Sequence, residues 1–150
     1  MDLRVEWYSV VGAWSYLGGV VFYSIAQISD LFDLRPDSHS LLVEWPYIHG
    51  GFLFAVGGCF ELVINRVFTS PPTCFVWWVS VLNFAGGVCF WLSSLPSIME
   101  GALAANTGIF GTASYLIGSL VTLWMWRGEQ FGGALIPAMN RAQRGADTSL

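Results

Sequence analysis

Long apolar stretches separated by short polar segments dominate this chain. Four of them reach the roughly 20 residues that an α-helix needs to cross the hydrocarbon core of a bilayer. They lack the polar stripe of helices in a soluble bundle, and they are too long and too continuous for the alternating strands of a membrane β-barrel. The predicted spans are residues 8–29, 46–64, 74–95 and 107–126. The sequence therefore predicts an all-α integral membrane protein, a bundle of four transmembrane helices, followed by an interfacial or disordered tail at 128–150.

Composition supports lipid as the solvent of these stretches. The 150 residues are 55% hydrophobic and only 11% charged, whereas a soluble domain carries about 25% charged residues. A soluble fold of this size has too large a surface to hide so many apolar side chains. Eight Trp and eleven Phe suit membrane-interface belts and lipid-facing rings. The net charge of -4 argues against nucleic acid as a partner, so membrane lipids and other membrane subunits are the expected partners.

Charge asymmetry predicts the orientation. Four spans place both termini and the loop between the second and third spans on one side of the membrane. That side carries Arg4, Arg66, Arg127, Arg141 and Arg144. The other side carries Arg35 with Asp30, Asp33, Asp37, Glu44 and Glu100. Because positive residues favour the inner side, we expect the termini in the cytoplasm, stroma or matrix, with thylakoid and mitochondrial inner membranes as the first candidates.

The segments between spans are predicted to be short. Residues 30–45 are expected to form an acidic loop, with Pro46 in the first turn of the second span, where a proline is tolerated. Residues 96–106 are expected to form a second loop with a short interfacial helix at 102–105. In the tail, residues 131–136 are expected to lie on the membrane surface. The three cysteines form no Cys-x-x-Cys pair and are interpreted as small buried side chains rather than metal ligands.

Small residues recur seven positions apart in every predicted span. Seven residues make nearly two helical turns, so each pair marks one helix face. In lipid, small residues let two helix backbones approach closely, and this spacing favours left-handed crossings. The predicted packing residues are Gly12, Gly19, Gly50, Gly57, Gly58, Ser80, Gly87, Gly111 and Gly118. We therefore expect a left-handed bundle whose centre is lined by small side chains.

Two segments resemble a known family. Asn-Phe-Ala-Gly-Gly-Val-Cys-Phe at 83–90 and Gly-Ile-Phe-Gly-Thr-Ala-Ser-Tyr-Leu-Ile-Gly-Ser at 108–119 are similar to the YrhK-like family of small membrane domains. The resemblance covers mainly the third and fourth spans. It implies a fold of paired membrane helices, and it transfers no site residues.

Glu61 is the acidic residue inside a predicted span. It follows Gly57 by four positions and therefore shares the small-residue face, as Asn83 does in the third span. A membrane-embedded carboxylate is costly and usually faces a bundle interior, so Glu61 requires an explanation. Three interpretations of this residue remain open. In the first, Glu61 has a structural role and is hydrogen-bonded to Asn83 or paired with Arg66. In the second, it ligates the magnesium of a chlorophyll, for which oxygen ligands are suitable. In the third, it is a proton-coupled gate.

The two histidines, His39 and His49, lie on the acidic side of the predicted topology. A metal or proton-relay site is conceivable there, but no metal-ligand spacing is present, and a solvated loop histidine and a helix-end histidine are the simpler interpretation. With Glu61 and Asn83, His49 is a candidate contact for chlorophyll or lipid. Chlorophyll, carotenoid and bound lipid are therefore the candidate cofactors, and no metal site is predicted.

Two classes of function remain. The sequence contains no nucleophile–base set, and its paired glycines lie inside apolar spans rather than in a phosphate-binding loop, so an enzyme is not expected. The first class is a non-catalytic accessory subunit of a larger energy-transducing membrane complex, photosynthetic or respiratory. The second is a small oligomeric proton-coupled transporter or channel that uses Glu61.

Overall fold

The structure, a computed structural model, describes residues 3–69, 71–72 and 74–128, and all regular elements in these ranges are helical. They are α1 (Leu3–Ser29), α2 (Pro36–His39), a π-helical turn (Ser40–Glu44), α3 (Trp45–Ile64), α4 (Phe75–Ser93) and α5 (Gly101–Gly128). The stretches long and apolar enough to cross a membrane are Trp7–Ser29, Pro36–Ile64, Phe75–Ser93 and Gly101–Arg127. The four-helix membrane fold is thus confirmed. The tail beyond Gly128, with the surface segment predicted at 131–136, lies outside the described residues.

The second span is longer than the sequence indicated. Helical structure begins at Pro36 and continues through the π-helical turn into α3, so most of the predicted acidic loop is helix. Pro46 is the second residue of α3, in the first turn where it was predicted, and it is buried there with helical structure before it. A proline lacks the backbone N–H that would bond to the residue four positions before it, and its ring crowds that carbonyl. The wider π-helical turn, which ends at Glu44 directly before α3, is a known way to absorb this defect.

The fourth span also begins earlier than predicted. The segment expected as a separate interfacial helix at 102–105 is the first turn of α5. Gly101 starts this helix with a φ of +56°, a left-handed conformation that glycine adopts without steric cost. The connection from α4 is therefore a short turn, and α5 extends toward the acidic end of the molecule.

The turn after α3 contains a left-handed arginine. Arg66 has a φ of +52°, its N–H donates to the Val63 carbonyl, and the Val67 N–H donates to the Leu62 carbonyl. These two bonds form a Schellman motif, in which glycine is the usual residue at the left-handed position. Arginine there costs about 1 kcal/mol relative to glycine. Leu62 and Val67 occupy the two positions that usually make an apolar contact in this motif, and both are buried.

Each long helix packs mainly against its neighbour in sequence: α1 on α3, α3 on α4, and α4 on α5. The glycine doublets of α3 divide their contacts between two of these neighbours. A Cβ atom at Gly50 or Gly57 would meet rings of α1, at 2.6 Å and 3.0 Å. A Cβ atom at Gly51 or Gly58 would meet backbone atoms of α4, at 2.7 Å and 2.6 Å. One residue of each doublet therefore serves each neighbouring helix.

The doublet of α4 follows the same rule. A Cβ atom at Gly87 would lie 2.6 Å from the carbonyl carbon of Phe54 in α3, whereas one at Gly86 would lie 3.1 Å from the Gly111 carbonyl oxygen in α5. All of the predicted packing residues are buried: Gly12, Gly19, Gly50, Gly57, Gly58, Ser80, Gly87, Gly111 and Gly118. The left-handed crossing of the helices stays a prediction.

The outer surface is apolar and rich in aromatic rings. Trp7 and Trp14 in α1 and Trp124 in α5 each expose 60% or more of their surface. Such exposure is unfavourable in water but suits lipid or partner helices. The interpretation of the cysteines as buried side chains was wrong for two of them, because Cys59 and Cys74 are exposed. Cys59 is on the outer side of α3, where an apolar thiol is equally compatible with lipid.

Candidate functional site

A hydrogen-bonded polar cluster surrounds Glu61 inside the bundle. The Tyr16 hydroxyl of α1 donates to Glu61 Oε2 at 2.8 Å. The Asn83 side-chain amide of α4 donates to both carboxylate oxygens, at 3.0 Å and 3.2 Å. Glu61 therefore accepts hydrogen bonds from helices on both sides of α3. In a medium without water these bonds compensate part of the cost of burying a carboxylate.

The cluster continues toward the arginine-rich end of the molecule. Ser80 is fully buried; its hydroxyl donates to the Val76 carbonyl at 2.9 Å and accepts from Asn65 Nδ2 at 2.7 Å. The same hydroxyl lies 3.5 Å from Glu61 Oε1, a weak contact at most. Ser80, predicted as a packing residue, is thus also a polar link between the end of α3 and the Glu61 cluster.

The structure brings Glu61 and Asn83 together, and it places Arg66 elsewhere. Arg66 is exposed in the turn after α3, and the described ion pairs do not include one between it and Glu61. A Cβ atom added at Gly118 would lie 2.8 Å from Asn83 Oδ1. The Asn83 amide is therefore close to α5 as well. Both Glu61 oxygens accept hydrogen bonds, Oε2 from Tyr16 and Asn83 and Oε1 from Asn83.

Aromatic rings fill the centre of the molecule beside this cluster. Phe54 of α3 contacts Tyr16 of α1, Phe90 of α4 and Tyr115 of α5, with ring centroids 5.6 to 6.3 Å apart. Phe90 and Tyr115 stack at 5.5 Å with an interplanar angle of 11°. The Tyr115 hydroxyl is buried without a well-placed hydrogen-bond partner among the described residues. Helices that are distant in sequence are thus joined through their aromatic side chains.

A small cavity reaches Glu61 from the side. Its volume is about 200 Å³, and it lies between α4 and α5 near the arginine-rich end. Its lining residues are Glu61, Val76, Val79, Thr122, Met125 and Trp126. One carboxylate and one hydroxyl in otherwise apolar walls leave room for a few water molecules, which need polar partners to be stable.

His49 lies apart from this cluster, on the outer side of α3. It is exposed, its Nδ1 lies 2.8 Å from the Trp45 carbonyl oxygen, and its ring is 6.0 Å from that of Phe22. It is twelve residues before Glu61, about 18 Å along a helix. The three candidate contacts for chlorophyll or lipid therefore do not form one site: Glu61 and Asn83 meet inside, and His49 faces outward.

His39 lies at the acidic end of the molecule. Its Nε2 is 3.7 Å from Asp30 Oδ1, and its Nδ1 is 3.7 Å from Glu44 Oε1. Across residues 3–69, 71–72 and 74–128, no three His, Cys, Asp or Glu side chains are grouped as a metal ion would need.

Neither a scan against protein-family models nor searches of curated proteins and of solved structures found a match. The resemblance to the YrhK-like family therefore stays a prediction.

Proposed function

We propose that this chain is a non-catalytic accessory subunit of a larger membrane complex, with photosynthetic and respiratory complexes as the first to test. The observation that carries the proposal is the filled interior. Glu61 is enclosed by hydrogen-bond donors, and the rings of Phe54, Phe90 and Tyr115 lie between the Glu61 cavity and the acidic end. A packed centre of this kind suits a rigid spacer between larger subunits better than a conduit.

The outer surface supports the same proposal. Exposed tryptophans are present on α1, α3, α4 and α5, and aromatic residues are enriched in the fully buried centres of protein interfaces. Lipids cover part of this surface in any membrane protein. In a subunit that lies between larger subunits, some of these rings would also pack against partner helices. Small residues on those helices would allow close approach.

The experiment is native purification in a mild detergent. A tagged copy expressed at its natural level should migrate with a much larger assembly on a native gel and keep a constant ratio to its partners through a second separation. A tagged four-span protein of unrelated sequence, expressed to the same level, is the control for trapping in mixed micelles. Pigment absorption in the purified assembly would favour the photosynthetic version. Migration of the chain alone, or only with copies of itself, would contradict the proposal.

We also propose that the termini face the cytoplasm, stroma or matrix. The reason is that their side of the membrane carries five arginines and the other side carries one, and positive residues favour the inner side. Cys74 tests this, because it is exposed in the loop on the arginine-rich side. A membrane-impermeant maleimide should label Cys74 only from that compartment, whereas Cys59, in the apolar part of α3, should react slowly because a water-soluble reagent does not enter the hydrocarbon core. Cys74→Ser should remove the labelling. Labelling of intact, right-side-out cells or organelles from outside would reverse the orientation.

A proton-coupled transporter or channel is the second candidate. The observation that favours it is the cavity at Glu61, because a membrane-embedded carboxylate that water can reach is a typical proton site. The buried hydroxyl of Tyr115 is a further polar group in the same part of the bundle. The rings of Phe54, Phe90 and Tyr115 fill the centre of the bundle, so a path would have to form at the α4–α5 side or between protomers. Replacement of Glu61 separates the two candidates, because they predict different results for proton flux.

A further inference from the structure

A large cleft lies at the acidic end, separate from the Glu61 cluster. Its volume is about 770 Å³, within the range of about 300 to 1,000 Å³ that is typical of small-molecule sites. It is walled by the end of α1, the helical segment that leads into α3, the end of α4 and the start of α5. It shares no lining residue with the cavity at Glu61. The proposed accessory role does not use it.

The charges that line this cleft are predominantly negative. Asp30, Glu44 and Glu100 come from three different parts of the chain, so the fold, and not a run of acids in the sequence, brings them together. His39 is the one basic side chain among the lining residues, and it lies between two of these carboxylates at 3.7 Å from each. The nearby Arg35 is not part of the lining. The cleft therefore attracts cations and repels anions.

The inner wall of the cleft is aromatic. Tyr23 contacts Tyr47 edge to face, with centroids 5.0 Å apart, and contacts Phe90 at 5.2 Å; all three rings line the cleft. The Tyr23 hydroxyl is held at 3.3 Å from Ser94 Oγ, which fixes the ring. Aromatic faces attract cations, and they also provide apolar area for an organic ligand.

From this combination we propose that the cleft binds a lipophilic organic cation, an ammonium or phosphonium compound with an apolar body. Carboxylates spread around a wide cleft match the diffuse charge of a bulky cation, whereas a bare metal ion needs several ligands close together. The aromatic wall accepts the apolar body of the ligand. Electrostatic attraction and apolar burial thus act on the same molecule, and neither inorganic ions nor neutral lipids satisfy both.

Tetraphenylphosphonium is a suitable probe, and tetraphenylborate is its anionic counterpart of nearly the same shape. Binding to the full-length protein in dodecyl maltoside is measured by equilibrium dialysis, with protein-free micelles subtracted. We expect saturable binding of the phosphonium and none of the borate. In the double variant Asp30→Asn/Glu44→Gln, affinity for the phosphonium should fall about tenfold, because two partly exposed carboxylates are lost.

The matched control is Asp37→Asn/Asp33→Asn, which removes two exposed acids from the same side of the protein without changing the cleft lining. It should retain the affinity of the unaltered chain, and both double variants should keep its elution volume and helical signal. Equal binding of phosphonium and borate, or equal losses in the two double variants, would overturn the proposal. Neither result depends on whether the chain co-purifies with a larger complex.

Discussion

Replacing Gly87 with alanine is expected to lower the free energy of unfolding by about 2–3 kcal/mol, the upper part of the range of about 1–3 kcal/mol for overpacking a tight interface. A Cβ atom at this position would lie 2.6 Å from the Phe54 carbonyl carbon and 2.7 Å from the Ala55 nitrogen. Because both are backbone atoms of α3, no rotation of a side chain can relieve the contact. The helices must separate, and the packing of α3 on α4 is lost along with the hydrogen bonds between them. Reversible unfolding in mixed micelles, followed by circular dichroism, measures the change.

Gly108→Ala is the matched control within the same fold. The nearest atom to a Cβ there is Ser93 Oγ at 3.7 Å, an ordinary contact. Since alanine is the better helix former, this variant should be unchanged or more stable by up to about 1 kcal/mol. If Gly87→Ala and Gly108→Ala gave equal stabilities, close backbone contact at Gly87 would not hold α3 and α4 together.

The sequence indicated which residues permit close approach but not which helix each of them meets. A spacing of seven marks a face, and the doublets at Gly50-Gly51 and Gly57-Gly58 mark two adjacent faces. Assigning one face to α1 and the other to α4 requires the position of both neighbours, which no local pattern contains. The same limit applies to the start of the second span, where Pro46 suggested a helix beginning. Whether a proline starts a helix or is absorbed by a π-helical turn depends on packing around it.

The Glu61 cluster was partly predictable for a related reason. Glu61 and Asn83 lie on small-residue faces of consecutive spans, so an antiparallel hairpin brings them together, and the structure joins them by two hydrogen bonds. Tyr16 carried no comparable signal. In a span rich in aromatic residues, a tyrosine is normally interpreted as a lipid-facing or interfacial ring. The inward position of Tyr16 depends on the space that Gly57 leaves beside its ring.

Glu61→Leu is expected to destabilise the fold by about 2–4 kcal/mol. The substitution leaves the Tyr16 hydroxyl and the Asn83 amide without their acceptor, at about 1–3 kcal/mol for each buried group, and it recovers part of the cost of burying a carboxylate. Glu61→Gln keeps one oxygen as an acceptor but turns an NH₂ group toward the Asn83 amide, so a smaller loss of about 1–2 kcal/mol is expected. The mixed-micelle unfolding assay used for the glycines ranks the two variants.

The double variant Glu61→Leu/Asn83→Leu tests whether the two residues act as a pair. Because both ends of the hydrogen bonds between them become apolar together, its loss should be well below the sum of the two single losses. Gln27→Leu is the control, since Gln27 is an exposed polar residue of α1 and should change stability by less than about 0.5 kcal/mol. Strict additivity would mean that the pair contributes nothing as a unit.

The same Glu61→Gln protein separates the two proposed functions. Proton flux is followed with a trapped pH dye in vesicles that carry a potassium diffusion potential. For an accessory subunit, vesicles with the unaltered chain or with Glu61→Gln should show no flux above protein-free vesicles. For a proton-coupled path through Glu61, the unaltered chain should conduct and Glu61→Gln should not, because an amide cannot exchange the proton that a carboxylate carries. A clear flux that survives Glu61→Gln would contradict both assignments of this residue, since the protons would then be crossing by a route that avoids the Glu61 cluster.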